Sequence, residues 1–217
     1  MKELQVQLAW NRLLAIVEEQ AQVLMRTAFS TVVREAGDLS AGVFDVRGEM
    51  LAQAVTGTPG HVNSMAEAVK KFLTKYPVSK LKPGDVLLTN DPWDGTGHLN
   101  DFTVVTPVFL SSEIIGFFAS TSHIADVGGR GFGPDANDLF EEGLRVPISY
   151  LLQKGDLNQT LMDLIKANVR DPLVAEGDLY SLIACNEAGS IELLEMLNDL
   201  DLRDLEELGK IILDRSK

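Results

Sequence analysis

Residues 101–123, DFTVVTPVFLSSEIIGFFASTSH, decide how the rest of the chain is read. Two runs rich in β-branched and aromatic residues, DFTVVTPVFL and EIIGFFASTSH, flank the short polar connection SSE. That is the pattern of two strands joined as a hairpin. A third such run, DVLLTN, precedes them, and the three together predict the centre of a sheet. Upstream, AGVFDVRGEMLAQAV reads as two short strands about the Arg47-Gly48 turn, followed by the loop TGTPGH and a helix from about Val62 to Lys75. At the start of the chain, Leu4, Leu8, Leu13, Leu14, Ile16, Val17, Leu24 and Met25 recur at mostly helical spacing with no Gly or Pro between them. This predicts one long amphipathic helix from Glu3 to about Arg26. From Asn158 onward the chain reads as helices: NQTLMDLIKANV, LVAEGDLYSLIACNEAGSIELLEML and LRDLEELGKIILDRS. A stretch opening with GGRGFG at 128–133 and running to about Glu142 is too rich in Gly, Asp and Asn for regular structure, and is expected to be an ordered, site-forming loop. The expected fold is α+β, one domain over 1–217, with a mixed or antiparallel central sheet flanked by the N-terminal helix and C-terminal helices. Residues 1–150 would carry the sheet and 151–217 would be helical.

Composition narrows the function. With 45% hydrophobic residues over 217 positions the chain can bury a core. It has no run of about 18 apolar residues, and its start, MKELQVQLAW, lacks the basic-then-apolar layout of a secretory signal. The expected location is the cytoplasm, with neither membrane insertion nor export. Lys plus Arg total 19 against 32 Asp plus Glu, a net charge of −13 that argues against nucleic-acid binding. Cys185 is the single cysteine, so an internal disulfide is excluded, and its setting SLIACNEAG reads as a packed thiol inside a helix. No GxxxxGK[ST], no GxGxxG placed between a strand and a helix, and no GxSxG occur, so neither nucleotide binding nor a serine-hydrolase elbow is supported.

The chemistry is concentrated in NDPWDGTGHLND, residues 90–101, directly before the strand DFTVVTPVFL. His98 and Asp101 are three apart, a spacing that lets an imidazole and a carboxylate converge on one point. His123 ends the following strand, and a hairpin brings it to the same end of the sheet. Asp38 in REAGDLS, between a helix end and a strand, is the best remaining donor. Two His and two Asp suit Zn²⁺, Mn²⁺ or Fe²⁺ better than Ca²⁺, and the absence of thiolates weighs against a purely structural zinc site. The alternative is turn chemistry, in which Asp and Asn beside Pro or Gly bond their own backbone. His61 in TGTPGHVNSM either faces the site or belongs to a helix start capped by Asn63 or Ser64. Asp91 shares the His98 loop, and Glu141 and Glu142 in DLFEEGLRVP are candidates for general acid or base.

Three long segments, NDPWDGTGHLNDFTVVTPVF, STSHIADVGGRGFGPDANDLFEEGLRVP and NVRDPLVAEGDLYSLIACNEAGSIELLEM, in that order, resemble the hydantoinase B family. That family includes the B component of N-methylhydantoinase, the corresponding part of 5-oxoprolinase, and subunits of acetone and acetophenone carboxylases. The resemblance runs from the first helix to the last. It implies a divalent metal, Zn or Mn, on Asp38, His98, Asp101 and His123, with Asp126 beside them to orient a histidine. It further implies a hydantoinase A-like partner that binds ATP and activates the substrate, so that the pair opens a cyclic amide such as a hydantoin, oxoproline or lactam. An ATP-dependent ketone carboxylase subunit and a non-catalytic structural half of a split subunit are the alternatives. Two departures stand out: many members carry ER-x-D-F-S where this chain has REAGDLS, and a second histidine where Ile124 stands. Family subunits also continue for several hundred residues more, which implies a fragment or one half of a split subunit, in a hetero-oligomer.

Overall fold

The computed structural model describes residues 3–131 and 133–216. The 101–123 stretch forms the expected hairpin: β4 (Asp101–Leu110) and β5 (Glu113–His123) pair antiparallel, with Leu110 opposite Glu113 at the turn and Asp101 opposite His123 at the far end. β1 (Leu39–Phe44) lies on the outer side of β5 and β2 (Met50–Gln53) lies beyond it. On the other side of β4 come β3 (Val86–Thr89), β6 (Ser149–Gln153) and β7 (Asp156–Leu157). The result is a seven-stranded sheet in the order β2-β1-β5-β4-β3-β6-β7, antiparallel at every pairing. Of the two sheet types expected, the antiparallel one is realised, and its last two strands reach past residue 150.

Side-chain alternation along the hairpin sorts the core into two halves. Phe102 and Val104 of β4 and Phe118 of β5 face a helical layer of α1 (Glu3–Thr27), α5 (Gln159–Asn168), α6 (Pro172–Asp199) and α7 (Glu206–Arg215). Val105, Phe117 and Ala119, one residue out of step, face Met65, Val69 and Phe72 of α3 (Pro59–Lys75). Each fully buried Val, Leu or Phe contributes about 1.5–3 kcal/mol, so both layers are needed. On the α3 side the row turns polar toward one end: Phe117, Ala119, Thr121 and His123 on β5 run beside Val105, Thr103 and Asp101 on β4, with the Thr103 and Thr121 hydroxyls 3.0 Å apart. Alternation therefore places Asp101 and His123 on one face.

α1 and α6 are docked onto the other face by a buried amide pair. Asn186 Nδ2 donates to the carbonyls of Val104 (3.2 Å) and Phe118 (3.5 Å) and to Thr106 Oγ1 (3.1 Å), while its Oδ1 accepts from Gln20 Nε2 at 2.8 Å. The same Gln20 nitrogen reaches the Ala119 carbonyl at 3.1 Å. Cys185, next in sequence, is buried, and burial pushes its thiol up to about 12, as befits an inert packed side chain.

Several boundaries differ from expectation. The buried face of α1 runs Val6, Ala9, Leu13, Ile16, Val17, Gln20, Ala21, Leu24, whereas Leu4, Leu8 and Leu14 are exposed. Leu4 and Leu8 lie two positions from Val6, about 200° around the helix, and cannot share its face. α3 begins at Pro59, because proline is preorganised for a first helical turn, so His61 is inside the helix. The sequence pattern predicts neither the strands β6 and β7 nor the short helices α2 (Thr31–Arg34) and α4 (Leu139–Glu142) nor the 3-10 turn at Val78–Lys80. Among the described residues no helix is long and apolar enough to cross a membrane. Of the GGRGFG stretch, Phe132 lies outside the described residues, as do Met1 and Lys2 of the N-terminal segment.

Candidate metal centre

The loop between β3 and β4 is built by its short polar side chains. Asn90 is buried, its Nδ2 donating to the carbonyls of Leu99 and Leu144 and its Oδ1 accepting from Val146 N. Asn100 is tied to Ile124 in both directions, Nδ2 to carbonyl at 2.8 Å and Ile124 N to the Asn100 carbonyl at 2.7 Å. Asp91 accepts from Trp93 N at 3.1 Å, and Arg145 Nε is 3.6 Å from its other oxygen. Asn90 and Asn100 tie the loop to more distant backbone, and Asp91, bonding the backbone two residues on, follows the turn-chemistry reading. Asp101 does not, because its carboxylate is the hub of a histidine cluster.

The His98–Asp101 turn closes twice: Asp101 N donates to the His98 carbonyl at 2.9 Å, and His98 N donates to Asp101 Oδ2 at 3.1 Å. The Asp101 side chain is 1% exposed. His123 Nδ1 lies 3.1 Å from its Oδ1, His61 Nε2 3.4 Å from its Oδ2, and His98 Nδ1 3.6 Å from the same Oδ2. Asp38 completes the group from the start of β1, with His61 Nε2 and His123 Nδ1 each at 3.8 Å and Thr58 Oγ1 donating to its Oδ1 at 2.6 Å. The backbone joins in, since His123 N donates to the Asp38 carbonyl. Burial by itself raises the Asp101 carboxyl, but hydrogen bonds from His123 and His61 and the charges of His61 and His98 outweigh it and hold the group well below the usual carboxylate range. Burial likewise pulls the His61 imidazole down, and its bond to Asp101 together with the charges of Asp101 and Asp38 more than compensates, leaving it raised.

Distance and chemistry both bear on whether this donor set fits a metal ion. His98, Asp101 and His123 each offer one atom, and these atoms lie within 4.8 Å of one another. Metal–ligand bonds of about 2.0–2.2 Å imply donor separations of roughly 3–4.4 Å, so small side-chain shifts suffice. Two imidazoles with carboxylates form a borderline nitrogen and oxygen set suited to a first-row divalent ion. The residues present fit such a group.

Residues 2–217 match the hydantoinase B/oxoprolinase family model. The chain belongs to the hydantoinase B/oxoprolinase family. It is 36% identical over 208 residues to an uncharacterized protein of Methanocaldococcus jannaschii, covering 93% of this chain and 37% of that one. To the 5-oxoprolinase of Dictyostelium discoideum it is 33% identical over 195 residues, covering 88% of this chain and 15% of the relative. Among solved structures, the ATP-dependent caprolactamase of Pseudomonas jessenii superposes with a TM-score of 0.88 at 26% identity, over 98% of this chain and 37% of that chain. The chain thus spans between 15% and 37% of the length of these relatives.

The other candidates from the sequence are engaged elsewhere. Asp126 accepts from Gly128 N and from Arg170, whose guanidinium lies 2.6 Å away and also bonds the Gly128 and Gly129 carbonyls. Its carboxylate, held low by these bonds against its burial, locks the glycine-rich loop to the α5–α6 junction. Glu141 bonds Arg130 and both nitrogens of Asn137, so it braces the same loop, and Glu142 adjoins it in α4. Sequence reasoning missed Thr58 and Arg170. Thr58 was hidden because its only signal was a place before Pro59 at a helix start, and Arg170 because its partner is 44 residues away.

Gly97 is required by two facts together: its φ is +59°, and a Cβ there would run into the Asp101 carboxylate. Gly97→Ala is therefore expected to stay folded, at a cost of about 1–2 kcal/mol for the left-handed backbone, while Asp101 is pushed off its place. Metal affinity, measured by competition with a chromogenic chelator, should fall by at least about tenfold; wild-type affinity in this variant would show that Asp101 is not held where the ion needs it.

Proposed function

We propose that this chain is the metal-holding part of a B-type subunit in an ATP-dependent cyclic-amide hydrolase, acting on a hydantoin, oxoproline or lactam ring. The observation that carries this reading is the meeting of His98, Asp101 and His123 within 4.8 Å, beside Asp38, in a chain of this family. Asp38, His98, Asp101 and His123 would hold Zn²⁺ or Mn²⁺, which when bound supplies Lewis acidity toward a substrate carbonyl or a water. Asp101, buried and bonded on both oxygens, sets the position of the others. His98 is the open donor, its side chain 47% exposed, so substrate is expected to approach over it. Trp93, exposed on the same loop, offers that substrate an apolar face. ATP would be bound by a hydantoinase A-like partner, since the chain has no phosphate loop and the solved caprolactamase relative is described as ATP-dependent. The remainder of a B-type subunit would complete the hetero-oligomer.

The test is His98→Ala in the reassembled complex with its A-type partner. Turnover should become undetectable while the complex stays assembled and folded, and elemental analysis of the wild-type chain should show about one divalent ion. Loss of folding together with turnover would favour a metal that only braces the chain. Labelled bicarbonate added to the assay should leave no label in the product; incorporated carbon would replace the hydrolase reading with ketone carboxylation.

A further inference from the structure

The segment between β2 and α3 wraps the end of the β4–β5 hairpin. Thr58 N donates to the Leu39 carbonyl at 2.7 Å, and Thr58 Oγ1 donates to Asp38 Oδ1 at 2.6 Å. Three residues on, His61 N donates to the Thr58 carbonyl, which fixes the first turn of α3 over the site. The His61 side chain, 8% exposed, turns Nε2 to Asp101 Oδ2 (3.4 Å) and Asp38 Oδ1 (3.8 Å). Opposite, His123 Nδ1 faces Asp101 Oδ1 (3.1 Å) and Asp38 Oδ2 (3.8 Å). Two imidazoles and two carboxylates thus alternate, and each carboxylate shows one oxygen to each ring.

The two rings are not equivalent. The donor atoms lying within 4.8 Å of one another belong to His98, Asp101 and His123, a set that includes neither Asp38 nor His61; Asp38 adjoins it through His123 Nδ1 at 3.8 Å, whereas the contacts of His61 Nε2 are with the two carboxylates. The nitrogen it turns toward two anions is the one placed to donate to them, and its Nδ1 is buried with no hydrogen-bond partner among the described residues. Two carboxylates this close repel unless a donor is shared between them, and metal-binding carboxylates are oriented by hydrogen bonds from residues that do not touch the ion. Resting on the metal reading above, we propose that the Thr58–His61 turn is the positioning device of the site. Thr58 and His61 hold Asp38 and Asp101 from behind so that the remaining lone pairs converge, and His61 itself is a positioning residue and not a ligand.

The test uses the full chain, with Zn²⁺ as the probe. His61→Leu should weaken Zn²⁺ affinity about 10–100-fold in chelator competition, while X-ray absorption of the Zn²⁺-loaded protein counts the same two imidazoles, those of His98 and His123, in variant and wild type. His61→Gln, which keeps a side-chain donor, should recover most of the affinity. Thr58→Val, which removes only the hydroxyl, should show a smaller loss of the same sign and stands as the readout if His61→Leu does not fold. A third imidazole in the wild-type spectrum would make His61 a ligand and overturn the proposal, as would affinities within twofold of wild type in both His61→Leu and Thr58→Val. A wild-type chain that takes up no Zn²⁺ or Mn²⁺ removes the metal reading itself and this proposal with it.

Discussion

On the proposed metal reading, alanine at position 101 is expected to leave the protein unable to retain a divalent ion, and to silence turnover in the proposed complex. Asp101 is the residue on which the group closes: His123 Nδ1, His61 Nε2 and His98 N all face its two oxygens at 3.1, 3.4 and 3.1 Å. Without it the imidazoles lose their common anionic partner, and of the two bonds that close the His98 turn the one from His98 N to the carboxylate goes, leaving only the backbone bond. Elemental analysis after dialysis should find metal in the wild type and none above background in Asp101→Ala. In chelator-treated protein the substitution should also cost about 1–3 kcal/mol, the penalty for stranding buried hydrogen-bonding groups. This difference has a defined pH window. The Asp101 carboxyl is depressed in the fold, so its stabilisation is present above its ordinary value of 3.8 and fades as pH falls. The His61 imidazole is raised, so its share is complete below its ordinary value of 6.5 and fades as pH rises through the higher folded value. The gap in melting temperature between wild type and Asp101→Ala should therefore be widest between those two values. A gap that kept widening below about pH 3 would contradict the assignment of Asp101 as an ionised hub.

The largest effect on folding is expected from Asn186→Ala. Asn186 lies at the centre of α6, buried, and joins that helix to α1 through Gln20 and to both hairpin strands through the Val104 and Phe118 carbonyls and the Thr106 hydroxyl. Removing the amide leaves Gln20 Nε2 with the Ala119 carbonyl as its one remaining acceptor, takes a donor from the Thr106 hydroxyl and the Val104 and Phe118 carbonyls, and opens a cavity between α6 and the hairpin. The Gln20 Oε1 is already buried without a partner among the described residues, which leaves little slack in the pair. A loss of about 2–4 kcal/mol is expected, equivalent to roughly 4–16 °C in melting temperature for a chain of this size. Metal affinity should stay near wild type, because the amide pair lies on the face of the sheet opposite Asp101 and His123. A variant melting within a degree of wild type would show that the helical layer is held by apolar packing alone.

Much of the site was legible because its spacing and its hairpin were legible together. The connection SSE between two β-rich runs set Asp101 against His123, and three residues of loop brought His98 back to them. Asp38 followed from its place just before β1, whose Leu39 pairs with Ser122. What the sequence did not show was the role of α3. TGTPGH reads as a loop when glycine is weighed above proline, yet Pro59 opens the helix and carries His61 inward to the carboxylates. Asp126 and Glu141 misled for the opposite reason: both are acidic residues in a glycine-rich stretch, and both are consumed by arginines, one of them distant in sequence. β6 was overlooked because its residues Ser149, Tyr150 and Leu152 are only half-buried beside β3 and give no clean alternation. The exposed Leu4 and Leu8 show the limit of reading a helix by apolar count alone, since burial on α1 is set by what α6 and β1 cover.

The ladder between Asp101 and Val108 is unbroken, and its one irregularity, between Val108 and Phe109, lies toward the Ser111 turn. Imidazole and carboxylate are consequently in phase at a single alignment of the two strands. Shifting one strand by a residue would carry His123 through the sheet to the α6 side and leave Asp101 facing a serine. Insertions at the hairpin tip, beyond the irregularity, can be absorbed there without disturbing the far end. The same change nearer Asp101 would separate chemistry from fold, so this short run of paired backbone is where the chain is least free to vary in length.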